Sequence, residues 1–294
     1  MLLHWFRSLV GDELRIFVHP DYVLLTHLKR EQHANFKQQI VHQQVLNVDL
    51  SEPLNQWEAL KTGLSEALKS DIWQRIIKQG ISAKLIISSH FARYAIIPWS
   101  AELAVEKERQ AYMRYRFNTI FGDAIKAWDM RMSEPVFGQP TIASAVDAEL
   151  LSVLHQVLSA CHVKVASISP YLMLAINQSI QQIKQQNIDS SFWLGVIESE
   201  RLCFALVEDG NWRLVKNVAT ETDVRRQIHT LIQREMIDSH VQSVLPVVIY
   251  QAQSGIDVTV KIAGFPNIRI QPIGFENTVE MLEKSAGNGR RVRI

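Results

Sequence analysis

Apolar positions along this chain fall into short dense runs separated by helical stripes. Residues 14–18 (LRIFV), 22–28 (YVLLTHL) and 40–48 (IVHQQVLNV) are rich in Val, Ile and Leu, which predicts three strands. Ser51 and Pro53 then open a helix to about residue 68. Trp57, Leu60, Leu64 and Leu68 recur at helical spacing on it, so one face is buried. A short helix at 72–78 ends at Gly80, and 84–89 (KLIISS) is a strand of buried type. The order βββαβ is that of an α/β unit.

The next block repeats the alternation at smaller scale. RYAII (93–97), closed by Pro98, is a strand. Residues 101–121 form a helix, with Glu102 in its first turn and Gly122 after its end. AWDMRM (127–132) and TIASAV (141–146) are strands joined by the turn EPVFGQP. Asp147 suits the N-cap of a helix over 148–161, whose apolar face is Leu150, Leu151, Leu154, Val157 and Leu158. VKVASI (163–168) is the closing strand. Over 93–168 the order is β-α-β-β-α-β, which predicts a ferredoxin-like split βαβ module.

Ser169-Pro170 starts a helix over 171–186, with Leu172, Ile176, Ile180 and Ile183 in register. The polar stretch QQIKQQNIDSS at its end reads as a linker and a domain boundary. Three strands follow: FWLGVI (192–197), LCFALVE (202–208) and WRLVKNV (212–218). Asp209-Gly210 predicts a hairpin between the last two. A helix over 221–237 carries Val224, Ile228, Leu231, Ile232 and Met236, and VLPVVIY (244–250) is a buried-type strand. Short strands at 258–263 and 268–272, a helix near 276–285 and a flexible tail complete the chain. The βββαβ order thus occurs twice, over 14–89 and 192–250. The predicted division is a first half over 1–187 that includes the 93–168 insertion, a shortened second half over 188–285, and a tail over 286–294.

Composition narrows the function classes. The chain has 294 residues, is 47% hydrophobic and 21% charged, and carries a net charge of +1. That gives no electrostatic case for nucleic acid as a partner. Cys161 and Cys203 cannot make a disulfide framework and form no C-x-x-C pair, which points to a reducing, cytoplasmic setting. The opening MLLHWFRSLVGDEL has a short apolar cluster interrupted by His4 and Arg7, so a buried terminal helix is expected rather than a signal peptide. No apolar run reaches the roughly 18 residues of a membrane span.

Candidate chemistry is sparse. The phosphate-loop patterns GxxxxGK[ST] and GxGxxG are absent, as is GxSxG. Asp21 could serve as a metal ligand or base, but an aspartate beside proline is ordinary turn chemistry. Cys161-His162 lies at a helix C-terminus, where the dipole disfavours a thiolate, and no full metal-ligand set stands at usable spacing. His155 and His162 are seven apart and do not by themselves make a metal site. His90, between two strand runs, is expected in a turn. No catalytic residue, cofactor or metal is expected. The helix over 101–121 presents a mixed charged face with Tyr112, Tyr115 and Phe117 on it.

Two βββαβ units, the first interrupted by a small α/β insertion, resemble the actin-like (ribonuclease H-like) folds. More narrowly, the chain resembles the type IV pilus assembly protein PilM, its MSHA-pilus relatives, and the cytoplasmic part of the type II secretion protein GspL. VASISPYLMLAIN (165–177) resembles the PilM strand that passes through a polar residue and a proline into an apolar helix. RYAIIPW…EKERQAYMRY (93–115) resembles the opening of that family's insertion.

The resemblance implies two glycine-containing hairpins that offer backbone N–H groups to ATP phosphates, each with an Asp that helps hold Mg²⁺, and a late Gly-Gly pair near the adenosine. The sequence departs at all three places. The first hairpin reads His19-Pro20-Asp21, and Pro20 has no N–H to donate. The second reads IESERL, with Glu198, Ser199 and Glu200 where a phosphate would lie. The late strand VVIY runs into Gln251-Ala252-Gln253-Ser254-Gly255. Pro20, Asp21, Glu198 and Ser199 are therefore expected to be degenerate phosphate-loop positions in a protein that binds no nucleotide. In the resembled family, the groove between the first half-domain and the insertion takes the short cytoplasmic tail of an inner-membrane protein. The resemblance thus implies a cytoplasmic scaffold at the inner face of the inner membrane. Its partner would be a pilus or secretion assembly protein, with Tyr94, Ile96 and Tyr115 as candidate contacts and a homodimer left open. The alternative is a divergent actin-like ATPase or sugar-kinase-like phosphotransferase.

Overall fold

The computed structural model of the chain describes residues 12–30, 38–50, 55–103, 105–185, 190–239, 244–251 and 262–270. In chain order the elements begin β1 (Glu13–Val18), β2 (Tyr22–Arg30), β3 (Gln38–Asn47), α1 (Gln56–Lys69), α2 (Asp71–Ile77), β4 (Ser82–Ile87) and β5 (Ala92–Ile97). They continue with α3 (Glu106–Phe121), β6 (Trp128–Met132), β7 (Thr141–Asp147), α4 (Ala148–Ala160), β8 (Lys164–Pro170) and α5 (Tyr171–Gln185). The last are β9 (Phe192–Glu198), β10 (Arg201–Glu208), β11 (Asn211–Ala219), α6 (Val224–Ser239), β12 (Val247–Gln251) and β13 (Asn267–Ile270). Two compact units hold them: residues 1–90 with 148–170, and residues 91–147 with 171–294.

The first unit is built on a five-stranded sheet of order β3-β2-β1-β4-β8. The three leading strands form an antiparallel meander, and β4 and β8 add in parallel. β1 and β4 lie inside this sheet, and Leu14, Ile16, Phe17, Val18, Leu85, Ile86 and Ile87 are all buried. Strands covered on both faces read as nearly continuous apolar runs, as LRIFV does apart from Arg15 and KLIIS does between Lys84 and Ser88. The stripe Trp57, Leu60, Leu64 and Leu68 of α1 is buried as its spacing requires, and α1 packs against α4. An ion network crosses the sheet, in which the Glu13 carboxylate receives Arg15 Nε at 2.7 Å and Lys84 Nζ at 2.5 Å.

The second unit repeats the plan. Its sheet has the order β11-β10-β9-β12-β13, again a meander followed by two parallel additions. All seven residues of β9 are buried. Trp193 and Phe204 stack with centroids 5.3 Å apart, and Ile228 and Ile232 of α6 pack onto them. Gly195 lies under α6, where a Cβ would come within 2.9 Å of Ile249 Cδ1. The turn between β10 and β11 is the predicted Asp209-Gly210, with φ of 51° and 76°. Both residues are left-handed, as a type I′ hairpin turn demands.

The unit also holds a three-stranded antiparallel sheet, β5-β7-β6, covered by α3. Met113 and Phe117 of α3 pack on Ala95, Ile97, Met130, Ala143 and Ala145. The three alanines let the helix approach the sheet closely. Asn217 Nδ2 of β11 donates to the Ala92 carbonyl of β5 at 3.0 Å.

The ferredoxin-like expectation is corrected here. The element order over 93–168 is as predicted, but α4 and β8 do not close the small sheet. β8 pairs with β4 in the first five-stranded sheet, and α4 packs on α1. The insertion proper is β5-α3-β6-β7. Helix α3 begins at Glu106, after a single 3₁₀ turn at Ala101–Leu103, instead of at residue 101. Pro170 closes β8 where it was expected to open the next helix. Residues 181–185 of the expected linker are the last turn of α5. The helix start at Ser51 and Pro53, the N-terminal apolar cluster, residues 186–189 of the linker, residues 252–261 with most of the 258–263 strand, and the final helix and tail lie outside the described residues.

Candidate functional site

The β1–β2 turn is His19-Pro20-Asp21, and its backbone donors can be accounted for one by one. The His19 N–H donates to the Tyr22 carbonyl at 3.0 Å. Pro20 has no N–H, and its carbonyl accepts from the Leu50 N–H at 2.6 Å. The Asp21 N–H donates to His19 Nδ1 at 3.3 Å. A loop that cradles a phosphate turns several N–H groups outward together. Here one is missing and two are spent inside the turn.

His19 is packed into the turn itself. It is 2% exposed, stacked on Tyr22, and near Phe17 at 6.1 Å between centroids. Burial pushes its pKa down to about 4, so the ring is neutral at physiological pH. The exposed Asp21 carboxylate, 3.6 Å from Nδ1, does not reverse this. Beside it stands His90, in the turn after β4 where the sequence placed it, with ring centroids 5.1 Å apart and planes at 73°. Ser88 Oγ holds His90 through its backbone N–H at 3.2 Å and lies 2.9 Å from Nδ1.

In the second unit the β9–β10 turn is Ser199-Glu200. Glu200 has a φ of 57°, and its carbonyl accepts from the Thr220 N–H at 3.1 Å. Glu198 is buried at the end of β9, paired in register with Arg201. A buried carboxylate and a glycine-free turn do not suit an incoming phosphate. The late strand is described only as far as Gln251, so the Gly-Gly position lies outside the described residues. Taken together, the residues of these hairpins do not fit a nucleotide phosphate.

The candidate partner contacts are placed differently from one another. Tyr94 is buried on β5, Ile96 is half-buried on the same strand, and Tyr115 is 62% exposed on α3. The sequence reading missed a neighbouring surface. Trp99 and Phe137 meet edge to face at 4.9 Å, and Phe137 is 87% exposed. They border a cavity of about 350 Å³ also lined by Ile97, Leu103, Met132 and Val136. The available signal was a lone phenylalanine in a turn between two prolines, EPVFGQP, where nothing in the local pattern could bury it. The remaining candidates are not brought together into one site. Burial raises the Cys161 thiol above its usual range despite nearby Lys69, and His155 and His162 are exposed on and after α4.

No protein-family model matches the chain, and no curated protein matches it. Solved structures do. The cytoplasmic domain of EpsL, an inner-membrane component of the type II secretion system of Vibrio cholerae, aligns with a TM-score of 0.54 at 10% identity, over 94% of this chain and 95% of that one. A Bacteroides thetaiotaomicron protein of actin-like ATPase fold and unknown function aligns with a TM-score of 0.58 at 12% identity, over 94% and 98%. A chain of the PilM–PilN type IV pilus biogenesis complex aligns with a TM-score of 0.56 at 12% identity, over 88% of each.

The fold is actin-like. Within it, the β1–β2 and β9–β10 turns are the two hairpins at which the resemblance places phosphate, one in each repeated sheet. Among the described residues no helix is long and apolar enough to cross a membrane.

Proposed function

We propose that the protein is a non-catalytic scaffold of a pilus or secretion-type membrane assembly, working at the cytoplasmic face of the inner membrane. It binds an extended cytoplasmic segment of an inner-membrane assembly protein. The observation that carries this reading is the donor accounting at His19-Pro20-Asp21, where the N–H groups that would hold a phosphate are absent or spent. The likeness to an inner-membrane secretion component and to a pilus biogenesis complex supports the rest. Fold does not dictate function, so the binding surface has to be tested on its own residues.

The surface for that segment is the insertion. Tyr115 on α3 and the Trp99–Phe137 pair offer exposed aromatic area, the kind of anchor that interfaces favour. Co-purification with the inner-membrane proteins of a pilus or type II system should recover one of them, and Trp99→Ser with Phe137→Ser should abolish the capture. Recovery of none overturns the scaffold reading. A thermal shift with Mg-ATP should be absent, and a clear shift favours the nucleotide-binding alternative, because a ligand that binds the native state raises its stability.

A further inference from the structure

We propose that His19 and His90 form a two-histidine site for a divalent transition-metal ion of the Zn²⁺ class. The inference is independent of the scaffold reading and rests on the geometry at the ends of β1 and β4. A nitrogen of His19 and one of His90 lie within 4.8 Å of each other, with their rings steeply inclined. Nε2 of His19 is buried and has no hydrogen-bond partner among the described residues. Native proteins rarely leave such an atom unsatisfied, and an orphan of this kind asks for an unseen ion or water.

The opposite nitrogens are already supported. A metal-ligating histidine usually donates its other ring N–H to an oxygen, which fixes the tautomer and the ring. His90 Nδ1 has Ser88 Oγ at 2.9 Å, and His19 Nδ1 accepts from the Asp21 N–H at 3.3 Å with the Asp21 carboxylate 3.6 Å away. Tyr22 stacks on His19 and holds its plane. Without metal, Nδ1 of His19 accepts from the Asp21 N–H, which puts the ring proton on Nε2. A metal ion on Nε2 would require the ring proton to lie on Nδ1, breaking the bond from the Asp21 N–H, with the Asp21 carboxylate closing from 3.6 Å to take the Nδ1–H hydrogen bond. The exchange is a tautomer swap with no net proton release from His19. Imidazole nitrogens suit Zn²⁺, Co²⁺, Ni²⁺ or Cu²⁺ and are poor ligands for Mg²⁺. The two histidines would leave the remaining positions of a four-coordinate ion to other donors, water among them.

The test uses the full chain, stripped with a chelator and titrated with Zn²⁺ by calorimetry. Co²⁺ serves as a second probe, read by its visible absorption. One equivalent should bind, and His90→Ala and His19→Ala should each weaken binding by at least about tenfold. Asp21→Asn should weaken it less, while His155→Ala on the exposed face of α4 should leave it unchanged. His19 is buried, so His19→Ala could unfold the chain. His90 is half-buried, and the metal-free circular dichroism and Tm of His90→Ala keep that arm decisive. Failure to bind, or Zn²⁺ binding that survives His90→Ala in a folded protein, overturns the proposal. The latter outcome would assign the ion to others of the chain's ten histidines.

Discussion

The imidazole of His19 stacks on the ring of Tyr22, centroids 4.6 Å apart and planes 23° from parallel. That contact converts a turn residue into a core residue, and its consequence is a pH dependence. The folded-state pKa of His19 is about 4, against a usual value of 6.5. Between those values the unfolded chain binds the proton and the folded chain does not. Stability is therefore full above pH 6.5 and falls as the pH drops towards 4, by at most about 3 kcal/mol. Urea titrations of metal-free protein across that window should show the fall, and His19→Gln should flatten it.

Glu13 adds a second loss of stability on acidification. Burial works against its charge, but Arg15 and Lys84 outweigh it and hold the pKa below the usual carboxylate value. Its contribution is present above the unfolded-state pKa and is lost as the pH falls through the lowered one. Glu13→Ala leaves two cations partly buried without their anion and should cost about 2–4 kcal/mol. A paired change, Glu13→Leu with Lys84→Met, should cost less than Glu13→Ala alone in the same denaturation assay.

Gly195 reports how tightly α6 sits on the second sheet. A Cβ there presses on the end of one side chain, Ile249 Cδ1 at 2.9 Å, and touches Ile228 Cδ1 of α6 at 3.6 Å. Gly195→Ala should cost less than about 1 kcal/mol, because that methyl can swing aside. Gly195→Val should cost about 2–3 kcal/mol by overpacking, read as a shift in denaturation midpoint at constant slope.

The two hairpins of the second sheet carry opposite predictions. Gly210, with a φ of 76°, has open space around its Cα, so only backbone strain opposes a side chain. Gly210→Ala should cost about 1–2 kcal/mol. Glu200 already bears that strain at a φ of 57°, and Glu200→Asn should recover up to about 1 kcal/mol in thermal melts.

Phe137 and Trp99 make few demands on the fold. Their joint replacement by serine should leave stability within about 0.5 kcal/mol of the parent, since they line an open surface. Loss of partner capture by that variant would then be a binding effect, and a large drop in Tm would show instead that the patch belongs to the core.

Much of the architecture was legible in the pattern of residues. Strands buried on both faces, such as FWLGVI, announce themselves as unbroken apolar runs, and LRIFV does so with Arg15 as its one polar residue. Asp209-Gly210 names its own turn through the φ values it permits. The insertion was misread because β-α-β-β-α-β is one string with two solutions. It serves equally for a closed ferredoxin-like sheet and for a three-stranded insertion followed by the host's own helix and strand. Pairing of β8 with β4 joins residues about 80 positions apart, a relation that local periodicity does not carry.

The site divides the same way. The sequence alone determined that His19-Pro20-Asp21 lacks glycine and one N–H, because those are properties of residue type. Only the tertiary structure decided that the remaining donors are spent within the turn, that His19 is buried and neutral, and that His90 arrives beside it. These depend on β1 and β4 lying next to each other in parallel with matched register, Val18 against Ile87, so that both turns open at one end of the sheet. A hairpin that reads as a loss of phosphate chemistry in one dimension becomes, in three, a histidine pair held by the stacking and burial of His19 and by Ser88 at His90.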